Sequence, residues 1–445
     1  MKKRVVSILL CATMAVGILA GCGSGNSESS NSDSSDSSGS DSGDTLVVWM
    51  KEDLTDAAND MIRERCAQFG EENGIEVQVE LIAYEDFPTQ WAAAIESGNL
   101  PDLSYFGYQE MGQYYSQGIL EDLTDVYNEI NEETPFEESL ASAVTSEDGV
   151  VYGIPGWSSV QVLYYRMDMF DEAGLDYPDE DWTWDDFHDA AVALTDEANG
   201  IYGAGIGYGA SNSDAEWFTR AILWSNGSVD VDDEGNVAID SEETVETAQF
   251  IQDMFIEEGL TPPTAVNWDD SGNNTAYLSG QCAMIFNVGS LLSTIQSDDP
   301  ELYENTGVAP MPAGSAGSLV PGILDGYGIF KDADNKDMAK ELIKYLSDLE
   351  WYTEWVNETA PFKIPVFSSL REDAVWQEAK NKPFMDSVAN FTFLGYPGTY
   401  TTAASEIFNS RILSNCFTNI VSGSDPATEI AQLQADMQEV YDDNQ

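Results

Sequence analysis

Leu46-Val47-Val48-Trp49-Met50 and Ile75-Glu76-Val77-Gln78-Val79-Glu80-Leu81-Ile82 flank a stretch, Asp56 to Gly70, with Ala57, Met61, Cys66 and Phe69 at helical spacing. The first run reads as a short apolar strand. The second alternates apolar and polar residues, the period of a strand with one covered face. Phe87 to Ser97 is helical again and ends at Gly98. Asp102-Leu103-Ser104-Tyr105-Phe106 makes a third strand, and a helical stretch with Tyr114 and Tyr115 leads to Gly118. Strands alternating with helices of about ten to fifteen residues predict βαβ units and a parallel sheet, an α/β fold.

Farther along, Val160 to Arg166 reads as one long apolar strand. Helices are predicted over Asp185 to Thr195, Ala215 to Ser225 and Thr244 to Glu258. Cys282 to Asn287 and Ile323 to Phe330 are further strands, and Lys336 to Val356 reads as a single helix. The last helix starts at Ser424-Asp425-Pro426, where proline suits the first turn, with Ile430, Leu433, Met437 and Val440 on its apolar face. Open α/β sheets bind ligands at the carboxyl ends of their strands. The positions to inspect therefore lie just past Trp49, Ile82, Phe106, Pro155 and Asn287, where two facing lobes would leave a cleft.

Upstream of the first strand, Lys2, Lys3 and Arg4 precede an apolar or small run from Val5 to Ala20, and Leu19-Ala20-Gly21-Cys22 closes it. That is the grammar of a secretory signal over residues 1–21. The cysteine after small residues resembles a bacterial lipobox, which implies lipid on Cys22. Gly23 to Asp44 is nearly all Ser, Gly, Asn and Asp, too poor in apolar surface to order itself. Residues 22–44 then form a lipidated tether that spans roughly 25 Å. No later stretch supplies the ~18 uncharged apolar residues of a membrane span.

The chain of 445 residues carries 80 acidic and 17 basic residues. Such a field repels nucleic acid and anionic lipid, so neither is an expected partner, and the membrane is touched through the lipid alone. Cys66, Cys282 and Cys416 are odd in number and far apart, which suits neither a disulfide framework nor a metal site. No cofactor and no catalytic group are expected. His188, the only histidine, follows Trp182-Thr183-Trp184-Asp185-Asp186-Phe187, where Thr183 as N-cap and Asp186 three residues on mark a helix start. It reads as a surface residue of a first turn rather than as the base of a hydrolase.

Eight short stretches carry a resemblance. They are Leu46-Val47-Val48-Trp49; Ser97-Gly98-Asn99-Leu100-Pro101-Asp102-Leu103; Gln117-Gly118-Ile119-Leu120-Glu121-Asp122-Leu123-Thr124; and Tyr152-Gly153-Ile154-Pro155. Then come Leu163-Tyr164-Tyr165-Arg166-Met167-Asp168-Met169-Phe170; Trp182-Thr183-Trp184-Asp185-Asp186-Phe187; Gly280-Gln281-Cys282-Ala283-Met284; and Ala309-Pro310-Met311-Pro312. In this order, behind a lipobox, the chain resembles the carbohydrate-binding class of solute-binding proteins of ABC importers, the class of maltose-binding protein.

The resemblance implies a two-lobed, periplasmic-binding-protein-like α/β fold with an interlobe ligand cleft and a hinge. Lobe 1 would be 45–153 plus 310–360, and lobe 2 would be 154–309 plus 361–445. Hinge crossings are expected near Gly153 to Trp157, near Ala309, and after a helix ending near Val356. The implied function is capture of an oligosaccharide by a monomeric receptor on the outer face of the cytoplasmic membrane, and delivery to permease subunits.

Carried over by position, Asp53 matches a family carboxylate that contacts sugar, and Tyr84 and Glu85 fall on a cleft loop. Phe106, Tyr108 and Gln109 follow the third strand, where the family has an aromatic and a polar contact, although Phe and Gln depart from the commoner Trp and acid. Trp157 and Ser158 fall at the hinge. Asp214, Trp217, Trp268 and Asn287 come from the second lobe. Asp325 and Tyr327 sit in a glycine-rich stretch, and Tyr396 and Tyr400 precede the final helices, where the family supplies another stacking ring. Two rival readings remain open at this level: a receptor of the same fold for a solute such as a polyamine, and a secreted glycoside hydrolase using two carboxylates.

Overall fold

Alternate residues of Thr45–Lys51 (β1) are buried, with Leu46, Val48 and Met50 almost inaccessible. This strand is the axis of the first sheet. The computed structural model describes residues 45–444 except 147, 210, 211, 233 and 399; the side chain of Glu85 is also outside it. The predicted signal segment, Cys22 and the tether therefore lie outside the described residues.

β1 pairs in parallel with Glu76–Ile82 (β2) and with Leu103–Gly107 (β3). The first helix between them runs past Gly70, its predicted end, to Asn73, while the second ends at Gly98 as expected. Thr55 caps Asp56–Asn73 by accepting from the Ala58 amide at 3.1 Å, and Gly74 closes it at φ 70°. Gly98 closes Phe87–Ser97 at φ 75°. Only glycine adopts this left-handed conformation at little cost.

Ile154–Val160 (β4) and Val162–Arg166 (β5) replace the single strand expected over Val160 to Arg166. Gln161 is the only residue between them, and the chain changes sheets there. β4 pairs antiparallel with Val320–Gly328 (β9), which also pairs with β3 and, through its first residues, with Phe391–Thr392 (β10). β5 instead joins Tyr202–Gly205 (β6), Cys282–Asn287 (β7) and Thr306–Ala309 (β8) in the order β6-β7-β5-β8. The predicted lobe boundary after residue 153 thus precedes β4, whereas the crossover follows it, because β4's hydrogen bonds go to β9. The second crossing between the sheets is residues 310–319. After the helix ending at Glu358 the chain stays beside the first sheet, since Ile364 exchanges backbone bonds with Ser158 at 2.8 and 2.9 Å and Phe391 pairs with Val320. It reaches the last helices only beyond Thr392. Both sheets belong to one compact unit, Gly43–Gln445.

The single helix expected over Lys336 to Val356 is two, Lys336–Leu346 and Leu349–Glu358. Asp348 breaks it, its carboxylate accepting from the Trp351 amide at 3.1 Å as an N-cap. The predicted cap at Thr183 forms a full capping box with Asp186. His188 lies on that helix and pairs with Glu258 at 2.7 Å. Cys66, Cys282 and Cys416 are free and buried, and burial pushes each thiol up to about 12.

Candidate functional site

The end of β1 and the turn after β2 open onto a cavity of ≈ 260 Å³ beside β4. Its walls are Met50 to Leu54, Tyr84, Tyr105, Trp157, Ile323, Trp355, Phe362 and Lys363. Trp157 sits at an irregularity that shifts β4's register against β9 between Pro155 and Trp157. Gly156 is required there, since a β-carbon would overlap the Tyr105 hydroxyl. The Trp157 and Phe362 rings lie 5.3 Å apart at 47°.

Two buried ion pairs brace this wall. Lys51 Nζ reaches Asp325 Oδ2 at 2.8 Å, with side chains 9% and 1% exposed. Lys363 pairs with Asp53, and both are nearly inaccessible. The Lys363 ammonium also lies 4.0 Å over the Trp355 ring, and Lys51 lies 4.2 Å over Tyr84, whose ring is mostly exposed. Burial lowers the Lys363 pKa while Asp53 opposes the shift; burial raises that of Asp325 while Lys51 opposes it. Each pair is thus held by geometry in a medium that disfavours single charges. Tyr105 and Trp355 line the cavity, and the Tyr105 hydroxyl and the Trp355 indole N–H are buried with no hydrogen-bond partner among the described residues.

A second polar pocket opens on the other sheet. Asp214 begins the helix Asp214–Ser225 and accepts from Gln161 Nε2 at 2.9 Å and Asn273 Nδ2 at 3.3 Å. Burial, and then the charge of Asp270, push its carboxyl up to about 7. Gly205, Gly207 and Phe286 complete a space of ≈ 10 Å³. Gln161 Oε1 is buried there without a partner among the described residues.

The structure therefore brings Asp53, Tyr84, Trp157 and Asp325 together, and places Asp214 at the crossover. Gln109 and Tyr400 meet, the Tyr400 hydroxyl donating to the Gln109 carbonyl at 2.7 Å. Phe106, Tyr108, Ser158, Trp217 and Tyr327 are buried in the core. Phe106 stacks on Trp91 at 4.8 Å, and Tyr327 packs edge-on to Tyr105 at 4.9 Å, because inward-facing strand positions bury whatever ring they carry. Tyr108 is fully buried, its ring against Tyr400 and Phe391. Ser158 is a buried strand residue bonded to Ile364. Trp217 packs on Phe408 at 4.4 Å, and Tyr396 on Trp224 at 5.4 Å. Trp268 donates to Thr264 Oγ1 at 3.1 Å, and Asn287 to Asn274. The Glu85 side chain lies outside the described residues. Tyr105, Trp355, Phe362 and Lys363 escaped the sequence reading, since nothing near Lys363 in the chain signals that it meets Asp53.

The sequence signature of bacterial extracellular solute-binding proteins matches residues 51–351, a majority of the chain. The chain belongs to that family. A putative binding protein of Brucella abortus (strain 2308) is 26% identical over 284 residues, 63% of this chain and 66% of that protein, just under two thirds of its length. The galactooligosaccharide-binding protein of Bacillus subtilis (strain 168) is 24% identical over 84% of this chain and 83% of its own. Among solved structures, the cyclic alpha-maltosyl-1,6-maltose binding protein of Arthrobacter globiformis shares the fold at a TM-score of 0.76 and 19% identity, covering 90% of this chain and 99% of that one. These relatives are named as binding proteins. No helix among the described residues is long and apolar enough to cross a membrane.

Proposed function

We propose that this chain is the substrate-binding component of an ABC importer, capturing an oligosaccharide between its two sheets and delivering it to permease subunits. It performs no chemistry on the ligand. Lipid on Cys22 holds it, as a monomer, at the outer face of the cytoplasmic membrane.

The cavity at β1 and β4 carries this reading. Trp157, Phe362 and Tyr84 offer apolar ring surface beside Asp53, Lys51 and Lys363, while the Trp355 ring is already covered by Lys363 and Trp351. A sugar ring presents C–H faces to such rings and needs partners for its hydroxyls once water leaves, the usual balance of a small-molecule site. The Tyr105 hydroxyl and the Trp355 N–H are buried groups that such hydroxyls would satisfy. Asp214, Trp268 and Asn287 would approach from the second sheet. The names of the relatives from Bacillus and Arthrobacter favour the same ligand class.

A thermal-shift screen of the chain against oligosaccharides, polyamines and amino acids tests it. A ligand present at 100 times its Kd adds about 2.7 kcal/mol to stability. A shift with one sugar class supports the reading; a shift with spermidine alone, across a full sugar panel, removes the carbohydrate. Replacing Cys22 with Ala should move the protein from the membrane fraction to the medium, and retention at the membrane would remove the lipid anchor.

A further inference from the structure

The cavity at β1 and β4 offers room for a sugar residue, ≈ 260 Å³, but few groups to meet its hydroxyls. Its charged side chains serve one another. Lys51 is held by Asp325 and Lys363 by Asp53, and none of the four side chains is more than 9% exposed. Asp325 Oδ1 has no partner among the described residues, yet the residue is 1% exposed and lies out of a ligand's reach. The Tyr105 hydroxyl and the Trp355 N–H are buried in the wall, and a hexose carries more hydroxyls than these two could meet.

The surface left open to a ligand is mostly hydrocarbon. Leu54 and Tyr84 stand at the mouth, 63% and 60% exposed, and the partly exposed Ile323 and Phe362 line the space with Trp157. Glu52, exposed just past β1, is the wall's one charge outside the two ion pairs. Such a wall sorts a sugar by its faces. Ring hydroxyls turn to Glu52 and to water at the mouth, and carbon turns inward.

A hexose residue carries a hydroxymethyl group on C5. Set against Leu54, Ile323 and Phe362, its hydroxyl loses water and gains no partner, which is unfavourable. A methyl in the same place leaves nothing unpaired and removes apolar surface from water, which is favourable. We propose that the saccharide residue held in this cavity is a 6-deoxyhexose, its methyl seated against Leu54, Ile323 and Phe362. This deepens the oligosaccharide reading and rests on it.

Titration calorimetry on the full chain in detergent tests it with methyl glycosides in pairs that differ only at C6. The pairs are L-rhamnose with L-mannose, L-fucose with L-galactose, and 6-deoxy-D-glucose with D-glucose. Tetrasaccharides of glucose, galactose and mannose are titrated alongside. In at least one pair the 6-deoxy member should bind about tenfold more tightly, a difference of about 1.4 kcal/mol. Ile323→Thr keeps a β-branched strand residue and adds a hydroxyl, and should cut that preference to about threefold or less. Leu54→Asn, at an exposed position, should narrow it with the melting temperature unchanged. Parents that bind as tightly as their 6-deoxy forms, or a preference that both variants leave intact, overturn the methyl site and leave the sugar receptor standing. Tetrasaccharide binding with every methyl glycoside silent has the same meaning. Silence from every sugar overturns both.

Discussion

The aromatic cavity beside β4 and the polar pocket at Gln161 solve the burial of charge in opposite ways. On the first sheet every buried carboxylate of the cavity wall faces an ammonium: Asp53 meets Lys363 and Asp325 meets Lys51. On the second, Asp214 meets two amides, and its nearest ionic neighbour is another acid, Asp270. Asp270 is itself committed, capping the same helix through the Ser213 hydroxyl at 2.8 Å and the Asp214 amide at 3.1 Å. The first arrangement is fragile to loss of either partner. The second tolerates substitution but titrates. One wall is a rigid platform; the other is tuned by protons.

The largest expected effect breaks the platform. Lys363→Met leaves Asp53 buried without a partner, and losing one member of such a pair costs about 3–5 kcal/mol. Urea unfolding should show this loss, and adding Asp53→Leu should recover most of it. A double variant as unstable as the single one would mean that the pair is not the source.

Next comes Trp157→Ala, which strips a ring from the cavity. A central aromatic anchor is worth about 2 kcal/mol or more, roughly thirtyfold in Kd. Calorimetry with the ligand from the screen should show that loss, while Trp217→Ala, packed on Phe408, should weaken binding far less.

The third sharpens the contrast through pH. Asp214 has its carboxyl pushed up to about 7 in the folded chain, against an unfolded value of about 3.9. The folded state therefore holds the proton more tightly. Between about pH 4 and pH 7 the unfolded chain ionises first, so stability falls as pH rises, by at most about 1.4 kcal/mol per pH unit for this one group, and levels off above 7. Asp214→Asn should remove that slope and be the more stable chain at pH 8. An unchanged pH profile in chemical denaturation would refute the assignment.

The smallest effect is a control in neither pocket. Thr183→Ala removes the capping box of the helix Trp184–Leu194 and should cost about 1 kcal/mol, with ligand affinity unchanged.

Much of this architecture is readable along the chain because it rests on local rules. Thr55, Thr183 and Asp425 cap helices with their own side chains, and Gly74 and Gly98 end helices in a conformation that side chains resist. Alternation in Glu76–Ile82 marks its half-covered strand. Reading failed where a local signal was weak. Gln161 differs little from its apolar neighbours in a run, yet it separates two sheets. Asp348 splits a helix whose apolar period runs on across it.

For the site, position past strand ends pointed to Asp53, Tyr84 and Trp157, since a chain leaving a sheet must present its next side chains to the edge, and a glycine-rich stretch pointed to Asp325. The same signals also picked Phe106 and Tyr327, which are buried in the core. An aromatic ring looks alike in sequence whether it faces a cleft or a core.

The sequence by itself determined the order of strands and helices, the caps that bound them, the acidic field, and membership of a solute-binding family. Each follows from residues near one another in the chain or from composition. Only the tertiary structure decided that Lys363 neutralises Asp53, that Lys51 leaves one oxygen of Asp325 unpaired, and that Trp355 and Phe362 close the cavity. Those facts depend on segments far apart in the chain meeting in a buried, low-dielectric place. There, the pairing of charges and the fit of rings are set by three-dimensional distance, which no local pattern encodes.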